Sequence, residues 1–303
     1  MKLPPLPERG LLADLCRETA AREGVQPQLI EKDFYLTRLL WLLGDRLREK
    51  LLLKGGTLLS KVDLGFFRMS EDADLILPGK PAKDAGTNAR RLEPIRSVLR
   101  GIHAEAGLIL QFPGGERTDR NAHVLWDLEY ESDFGPQGLK IEVSIRPLFL
   151  DPRKVTLGQL LKDPMIGDYT DASCWALDAN EARAEKVRAA FTREAIRDYY
   201  DLDRLADAGA DLTSLEFVRL VDRKLAELGE SPLGEQKSCF SLTSDRRRRL
   251  DLSSTQELSA VLRTNAPTFD LDRMLARFNA LWNKGGGPEP PPGRVLNLRR
   301  RAD

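Results

Sequence analysis

Apolar positions recur with two different periods along this chain. Leu29, Phe34, Leu36, Leu39, Leu40, Leu43 and Leu47 form one broad face at a helical period. That spacing predicts a long helix over residues 28–50, with Pro27 in its first turn. A shorter helix is expected over 10–23, behind a proline-rich arm at 1–9. The run Leu51, Leu52, Leu53 reads as a buried strand. Lys54-Gly55-Gly56-Thr57 breaks it and opens an amphipathic stretch that ends near Gly65. A second strand over 71–77 carries Asp72 and Asp74. After a loop at 78–87, Leu92, Ile95, Val98, Leu99 and Ile102 mark a helix over 88–106, stopped by Gly107. Strands follow at 108–112, 123–131 and 139–147, with turns at 113–120 and 133–138. In the second of these strands Val124, Trp126, Leu128 and Tyr130 share a face. In the third, Ile141, Val143 and Ile145 share one face and Lys140, Glu142, Ser144 and Arg146 the other. Such a strand packs on one side, and its polar side can line a cleft.

Farther on the pattern turns helical. Residues 151–175, punctuated by Pro152, Pro164 and Gly167, read as a passage between domains. Helices are expected over 178–191, from an N-cap at Thr192 with Glu194 in the first turn to about Ala208, and over 212–228. A break at 232–238 precedes helices over 253–265 and 271–283. Gly285, Gly286, Gly287 and the prolines after them form a flexible or polyproline tail. The class is therefore α/β, with expected divisions at 1–165, 166–284 and 285–303.

Composition narrows the function only a little. The 303 residues suffice for two domains, and 41% hydrophobic content is ordinary for a globular chain. Lys+Arg and Asp+Glu balance at 47 each, so a nucleic-acid footprint has to be local. Asp245 leads the sharpest basic run, Arg246-Arg247-Arg248-Arg249, which reads as a solvated helix face or as an RNA contact. Arg299-Arg300-Arg301 is a second, shorter run. Cys16, Cys174 and Cys239 are scattered, and no zinc spacing or disulfide framework is visible. A reducing cytoplasm follows as the expectation. No signal-peptide core or membrane-length apolar run is present.

The chemistry concentrates around Asp72 and Asp74. Residues two apart on a strand face the same way, so these carboxylates can share a cation. Two adjacent like charges repel, and a divalent metal with a preference for hard oxygen ligands, Mg²⁺ or Mn²⁺, relieves that repulsion. The two glycines free backbone N–H groups at a helix start, where an anion is favoured. Carboxylates beside a phosphate cradle point to metal-assisted phosphoryl or nucleotidyl transfer.

Lys54-Gly55-Gly56-Thr57 followed by Arg68-Met69-Ser70-Glu71-Asp72-Ala73-Asp74 resembles the signature of the AbiEii/AbiGii nucleotidyltransferase toxins, relatives of the polymerase β-like transferases. Glu31-Lys32-Asp33-Phe34-Tyr35, Ala184-Glu185-Lys186 and Arg197-Asp198-Tyr199-Tyr200-Asp201-Leu202 resemble further family segments in the same order, over about residues 25–210. Residues 210–303 resemble nothing recognisable. The resemblance implies a polymerase β-like core with a mixed sheet, then a helical C-terminal domain. It implies an NTP substrate, with Lys54, Gly55, Gly56, Thr57, Arg68 and Ser70 as the nucleotide-binding set. Asp72 and Asp74 would hold the metal, Lys186 would neutralise triphosphate charge, and Asp201 would orient Lys186 or a nucleotide hydroxyl. On one straight helix Lys186 and Asp201 would stand about 22 Å apart, so joint action requires a bend near Thr192.

Polymerase β-like enzymes place a third acid on the strand next to D-x-D, and Glu142 is the candidate. The plain alternative is an exposed residue paired with Lys140 or Arg146. His103 and His123 read as surface or satisfied residues. Glu31, Lys32 and Asp33 read as a solvated helix start or as docking groups beside the site. The resemblance further implies a toxin acting on an RNA, with the tRNA 3′ end as target, and a separately encoded antitoxin. The alternatives are transfer to a protein or small molecule, and a non-catalytic nucleotide- or RNA-binding module.

Overall fold

The structure, a computed structural model, describes residues 3–193, 195–232, 242–253, 257–264 and 266–284. Glu194, most of the break at 232–238, the Gly/Pro tail and Arg299–Arg301 lie outside the described residues. The chain forms two compact units. The first runs to Ala182 and also takes in Val261–Ala266; the second holds Arg183–Ala260 and the stretch from Pro267. No helix among the described residues is long and apolar enough to cross a membrane.

The first unit has the expected mixed α/β architecture. Its helices are α1 (Arg9–Glu23), α2 (Pro27–Leu47), the short α3 (Gly55–Leu58) and α4 (Ala85–Ala106). Its strands are β1 (Leu52–Leu53), β2 (Ala73–Pro78), β3 (Ile109–Leu110), β4 (Glu116–Thr118), β5 (His123–Tyr130), β6 (Gln137–Arg146), β7 (Arg153–Thr156) and β8 (Ser173–Ala176). They make one sheet in the order β3-β5-β6-β2-β1-β8-β7, with β4 on β5. The β2–β6 and β1–β8 pairs are parallel and the others antiparallel.

The apolar face of α2 explains why this sheet has a core. Phe34, Leu36, Leu39, Leu40 and Leu43 are buried together with Leu52, Leu53, Ile76, Trp126 and Val143. Gly44 lets α2 approach β8: a Cβ there would lie 2.6 Å from the Ser173 carbonyl oxygen. The helix therefore needs a glycine in mid-face despite its cost in propensity. Gly107 closes α4 in the left-handed conformation expected of it.

Several elements differ from the sequence reading. The turn expected at 113–120 contains β4. The passage expected at 151–175 contains β7 and β8, which complete the sheet of the first unit. Each has four residues with one or two of them buried, too few to show a period. β8 pairs with β1, more than a hundred residues away in sequence, and β7 pairs in turn with β8. Thr192 ends α5 (Ala179–Thr192) and caps nothing after it; its hydroxyl donates back to the Arg188 carbonyl at 3.0 Å. Of the helix expected over 253–265, residues 254–256 and 265 lie outside the described residues, and the described part holds a 3₁₀ turn at Ser259–Val261. Val261 packs with Leu29, Phe66 and Met69, and its carbonyl accepts the Met69 N–H at 2.8 Å.

The second unit is helical: the later part of α5, then α6 (Ile196–Asp207), α7 (Leu215–Ala226), α8 (Ser244–Ser253) and α9 (Leu271–Lys284). Tyr199 and Tyr200 are fully buried, as packing residues would be, and the Tyr199 hydroxyl donates to the Ala190 carbonyl at 3.0 Å.

Candidate active site

The break after β1 is built for close approach. The Lys54 N–H donates to the Asp74 carbonyl at 2.9 Å, carrying the β1–β2 ladder one residue further. Gly55 then adopts φ +71°, and a Cβ on it would lie 2.2 Å from Asp74 Oδ2. A Cβ on Gly56 would lie 2.4 Å from an Arg68 guanidinium nitrogen. No other residue type fits either place without displacing a functional candidate. The Thr57 hydroxyl stands 2.8 Å from Ser70 Oγ and also bonds the Asp72 carbonyl. Ser60 Oγ donates to the Arg68 carbonyl at 2.6 Å, and Arg68 donates to the Met69 carbonyl at 2.9 Å. The glycine turn and the segment leading into β2 are thus stitched together by Thr57, Ser60 and Arg68. The structure places Thr57 and Arg68 in the frame, both buried.

Two of the candidate acids, Asp74 and Glu142, lie on the neighbouring strands β2 and β6. Asp72 stands just before β2, and Asp74 lies on it opposite Glu142 in the parallel register. Registered neighbours share a face, with strands about 4.8 Å apart. Asp74 is half-buried, with Lys54 Nζ 3.8 Å from its carboxylate. Asp72 is exposed, yet partial desolvation and then Glu71 and Asp74 push its carboxyl pKa up, against Lys32 and Lys140. A carboxylate held at such a disadvantage is the kind of group that a cation stabilises. Among the described residues no three Asp, Glu, His or Cys side chains gather closely enough to enclose a metal. Asp72 and Asp74 are hard oxygen donors of the kind a divalent metal takes when phosphates and water complete its shell.

Glu142 has a partner that the sequence reading did not name. His123 Nε2 lies 2.9 Å from its Oε1. The reading of His123 as satisfied holds, but one of the groups satisfying it is the candidate third acid. Only the β5–β6 register, which pairs His123 with Ser144, brings it there.

The first turn of α2 is not a solvated start. Glu31 and Asp33 are buried, and Asp33 forms a buried ion pair with Lys61. Burial pulls the Lys61 pKa down, and Asp33 opposes it. Lys32 is 3.2 Å from Glu71, so α2 is tied to the segment that leads into Asp72.

Lys186 and Asp201 belong to the second unit. The bend between α5 and α6 brings Lys186 Nζ to 2.6 Å from Asp201 and 2.8 Å from Asp198. Asp198 also receives Arg193 at 2.5 Å. Burial opposes its ionisation, but Lys186 and Arg193 outweigh burial and hold its carboxyl far below the usual range. Asp198 stood inside the quoted R-D-Y-Y-D-L segment but was not singled out; its spacing of three from Asp201 was the available signal.

The basic run is divided by its helix. Arg246 is buried and donates to the carbonyls of Ala190, Phe191 and Arg193 at 2.8, 3.3 and 3.1 Å. Arg247 pairs with Asp251 and Asp272. Arg248 and Arg249 are exposed. A footprint of all four arginines is thereby corrected: Arg246 closes the end of α5.

The fold is that of nucleotidyltransferase toxins. It is similar to MenT4, nucleotidyltransferase toxin Rv2826c from Mycobacterium tuberculosis H37Rv, with a TM-score of 0.62 and 21% identity, covering 90% of this chain and 88% of that one. It is also similar to JHP933 from Helicobacter pylori, with a TM-score of 0.51 and 16% identity, covering 86% and 93%. At these identities the likeness is one of fold. The chain itself belongs to the AbiEii family, nucleotidyl transferase toxins of type IV toxin–antitoxin systems, whose model matches residues 41–284. The protein is thus a nucleotidyltransferase of a toxin family. The match carries the relation on to residue 284, through the stretch from residue 210 in which no motif is legible. No curated protein matches the sequence.

Proposed function

We propose that this toxin moves a nucleoside monophosphate from an NTP to an acceptor hydroxyl on RNA, the 3′ end of tRNA, and releases pyrophosphate. The observation that carries this reading is the parallel register of Asp74 and Glu142 beside the Gly55–Gly56 turn. Asp72 and Asp74 would hold Mg²⁺, which when bound offsets phosphate charge and lowers the barrier to attack. Lys54, Gly55, Gly56 and Ser70 would line the triphosphate side, with Thr57 and Arg68 fixing their backbone. Glu142 would accept the proton of the attacking hydroxyl. The role of Lys186 toward the NTP rests on its motif; its buried pairs with Asp198 and Asp201 support an equally direct role in holding the α5–α6 bend. A tRNA blocked at its 3′ end cannot be aminoacylated, and a separately encoded antitoxin would restrain the enzyme.

The test is incubation with each α-labelled NTP, Mg²⁺ and total cellular RNA. Label is expected on tRNA-sized species, removed when their 3′ hydroxyls are oxidised beforehand. Label on protein or on a small molecule instead would favour the other transferase reading.

A further inference from the structure

His123 lies outside every segment that relates this chain to its family by motif, yet its imidazole is fixed on both sides. Nε2 is 2.9 Å from Glu142 Oε1, and Nδ1 is 2.9 Å from Thr118 Oγ1. A neutral imidazole has one donor and one acceptor nitrogen. Nε2–H donating to Glu142 while the Thr118 hydroxyl donates to Nδ1 satisfies both without taking up a proton.

The backbone that presents His123 is unusual. Thr118 and His123 face each other in the β4–β5 register, and the turn between them holds Asp119, Arg120 and Asn121 at φ 49°, 52° and 60°. Three successive non-glycine residues in the left-handed region are strained, at about 1 kcal/mol or more each. Such a turn persists only where its surroundings dictate it. Here α4 does so. The fully buried Asn88 donates to the Arg120 carbonyl at 3.1 Å, and Asn121 donates to the Ala85 carbonyl at 3.1 Å. The Ala122 carbonyl accepts the Ile145 N–H at 2.8 Å, which seats the start of β5 against β6.

We propose that His123 is a positioning residue for nucleotidyl transfer, holding the Glu142 carboxylate on the face it shares with Asp74. This rests on the reading of Glu142 as the proton acceptor. In the step it serves, the acceptor oxygen bonds to the α-phosphorus, the bond to pyrophosphate breaks, and the hydroxyl proton passes to Glu142. A carboxylate that has lost the imidazole donor would meet that proton less often, while NTP binding would be untouched.

Two measurements test this. In the labelled-NTP assay with total cellular RNA, His123→Phe should lower kcat about tenfold and leave the KM for NTP unchanged. His123→Gln, which keeps a donor near the Nε2 position, should recover most of the loss. On a Glu142→Gln background His123→Phe should cost nothing further, because the group it positions is gone. Additive losses, or a raised KM with unchanged kcat, would overturn the proposal. Full transfer by Glu142→Gln would overturn both the proton-acceptor reading and this one. Independently of any acceptor, crystal structures of both His123 variants should show the Glu142 carboxylate turned away in His123→Phe and retained in His123→Gln. An unmoved Glu142 in His123→Phe would overturn the positioning role while leaving the proton-acceptor reading intact.

Discussion

Gly55 is the residue on which the site geometry depends most narrowly. With φ +71° and Asp74 Oδ2 only 2.2 Å from any Cβ, Gly55→Ala cannot be accommodated by a small adjustment. It should abolish nucleotide transfer by displacing Asp74 while costing the fold only about 1–2 kcal/mol, which a thermal melt beside the transfer assay would show. Glu31 offers a prediction of stability. It is buried, Ser132 donates to one oxygen at 2.5 Å, and the other has no hydrogen-bond partner among the described residues. Burial is the main cause of its raised pKa. A raised carboxyl pKa means that the native state keeps a proton that the unfolded chain has lost, so stability falls as pH rises through the native value. Glu31→Gln should therefore raise the melting temperature at neutral pH by about 2 °C, and the gain should vanish as pH falls toward the ordinary value of 4.5. The D-x-D spacing is legible in the sequence, but the strand expected over 71–77 begins at Ala73, so Asp72 stands outside the ladder that a period of two assumes. The His123–Glu142 contact is not legible there, because strand register is a long-range property.

The α5–α6 bend is the element whose charges can be weighed. Asp198 serves Lys186 and Arg193 together, and Asp198→Asn would leave the buried Lys186 with its ion pair to Asp201 and take the carboxylate from the exposed Arg193. It should destabilise the second unit by about 3 kcal/mol at neutral pH. Because its carboxyl pKa is depressed, the contribution of Asp198 is complete above the ordinary value of 3.8 and is lost only as pH falls well below it. An acid titration of wild type and variant by circular dichroism should show the gap closing only in strong acid. Arg246→Ala should cost about 2 kcal/mol by removing the donor to the Phe191 and Arg193 carbonyls and one of two donors to that of Ala190, whereas Arg248→Ala and Arg249→Ala should stay within about 0.5 kcal/mol. If the exposed pair touches RNA, neutralising Arg248 and Arg249 should flatten the salt dependence of RNA binding; an unchanged slope would place both against solvent. The long helices α2 and α4 and the alternating strands β5 and β6 were legible because each carries enough residues to display its period. The four-residue strands β7 and β8 and the Ser259–Val261 turn were not, since contact with distant chain defines them.

At the scale of the whole molecule, the family assignment predicts that expressing this chain alone arrests bacterial growth, and that a partner protein relieves the arrest. The first unit carries the paired acids and the glycine turn, so arrest at equal expression should be lost in Asp72→Ala and in Asp74→Ala. The boundary between the units falls inside α5, beyond the division expected at residue 165, because the sheet needs β8 beside β1 to be complete. The most direct measurement is transfer of label from an α-labelled NTP to cellular RNA in the presence of Mg²⁺ by wild type and by Asp74→Ala, both shown to be folded. The account predicts labelled RNA with wild type and none with the variant. Equal labelling by the two proteins would contradict it and would move the chemistry away from the β2–β6 face.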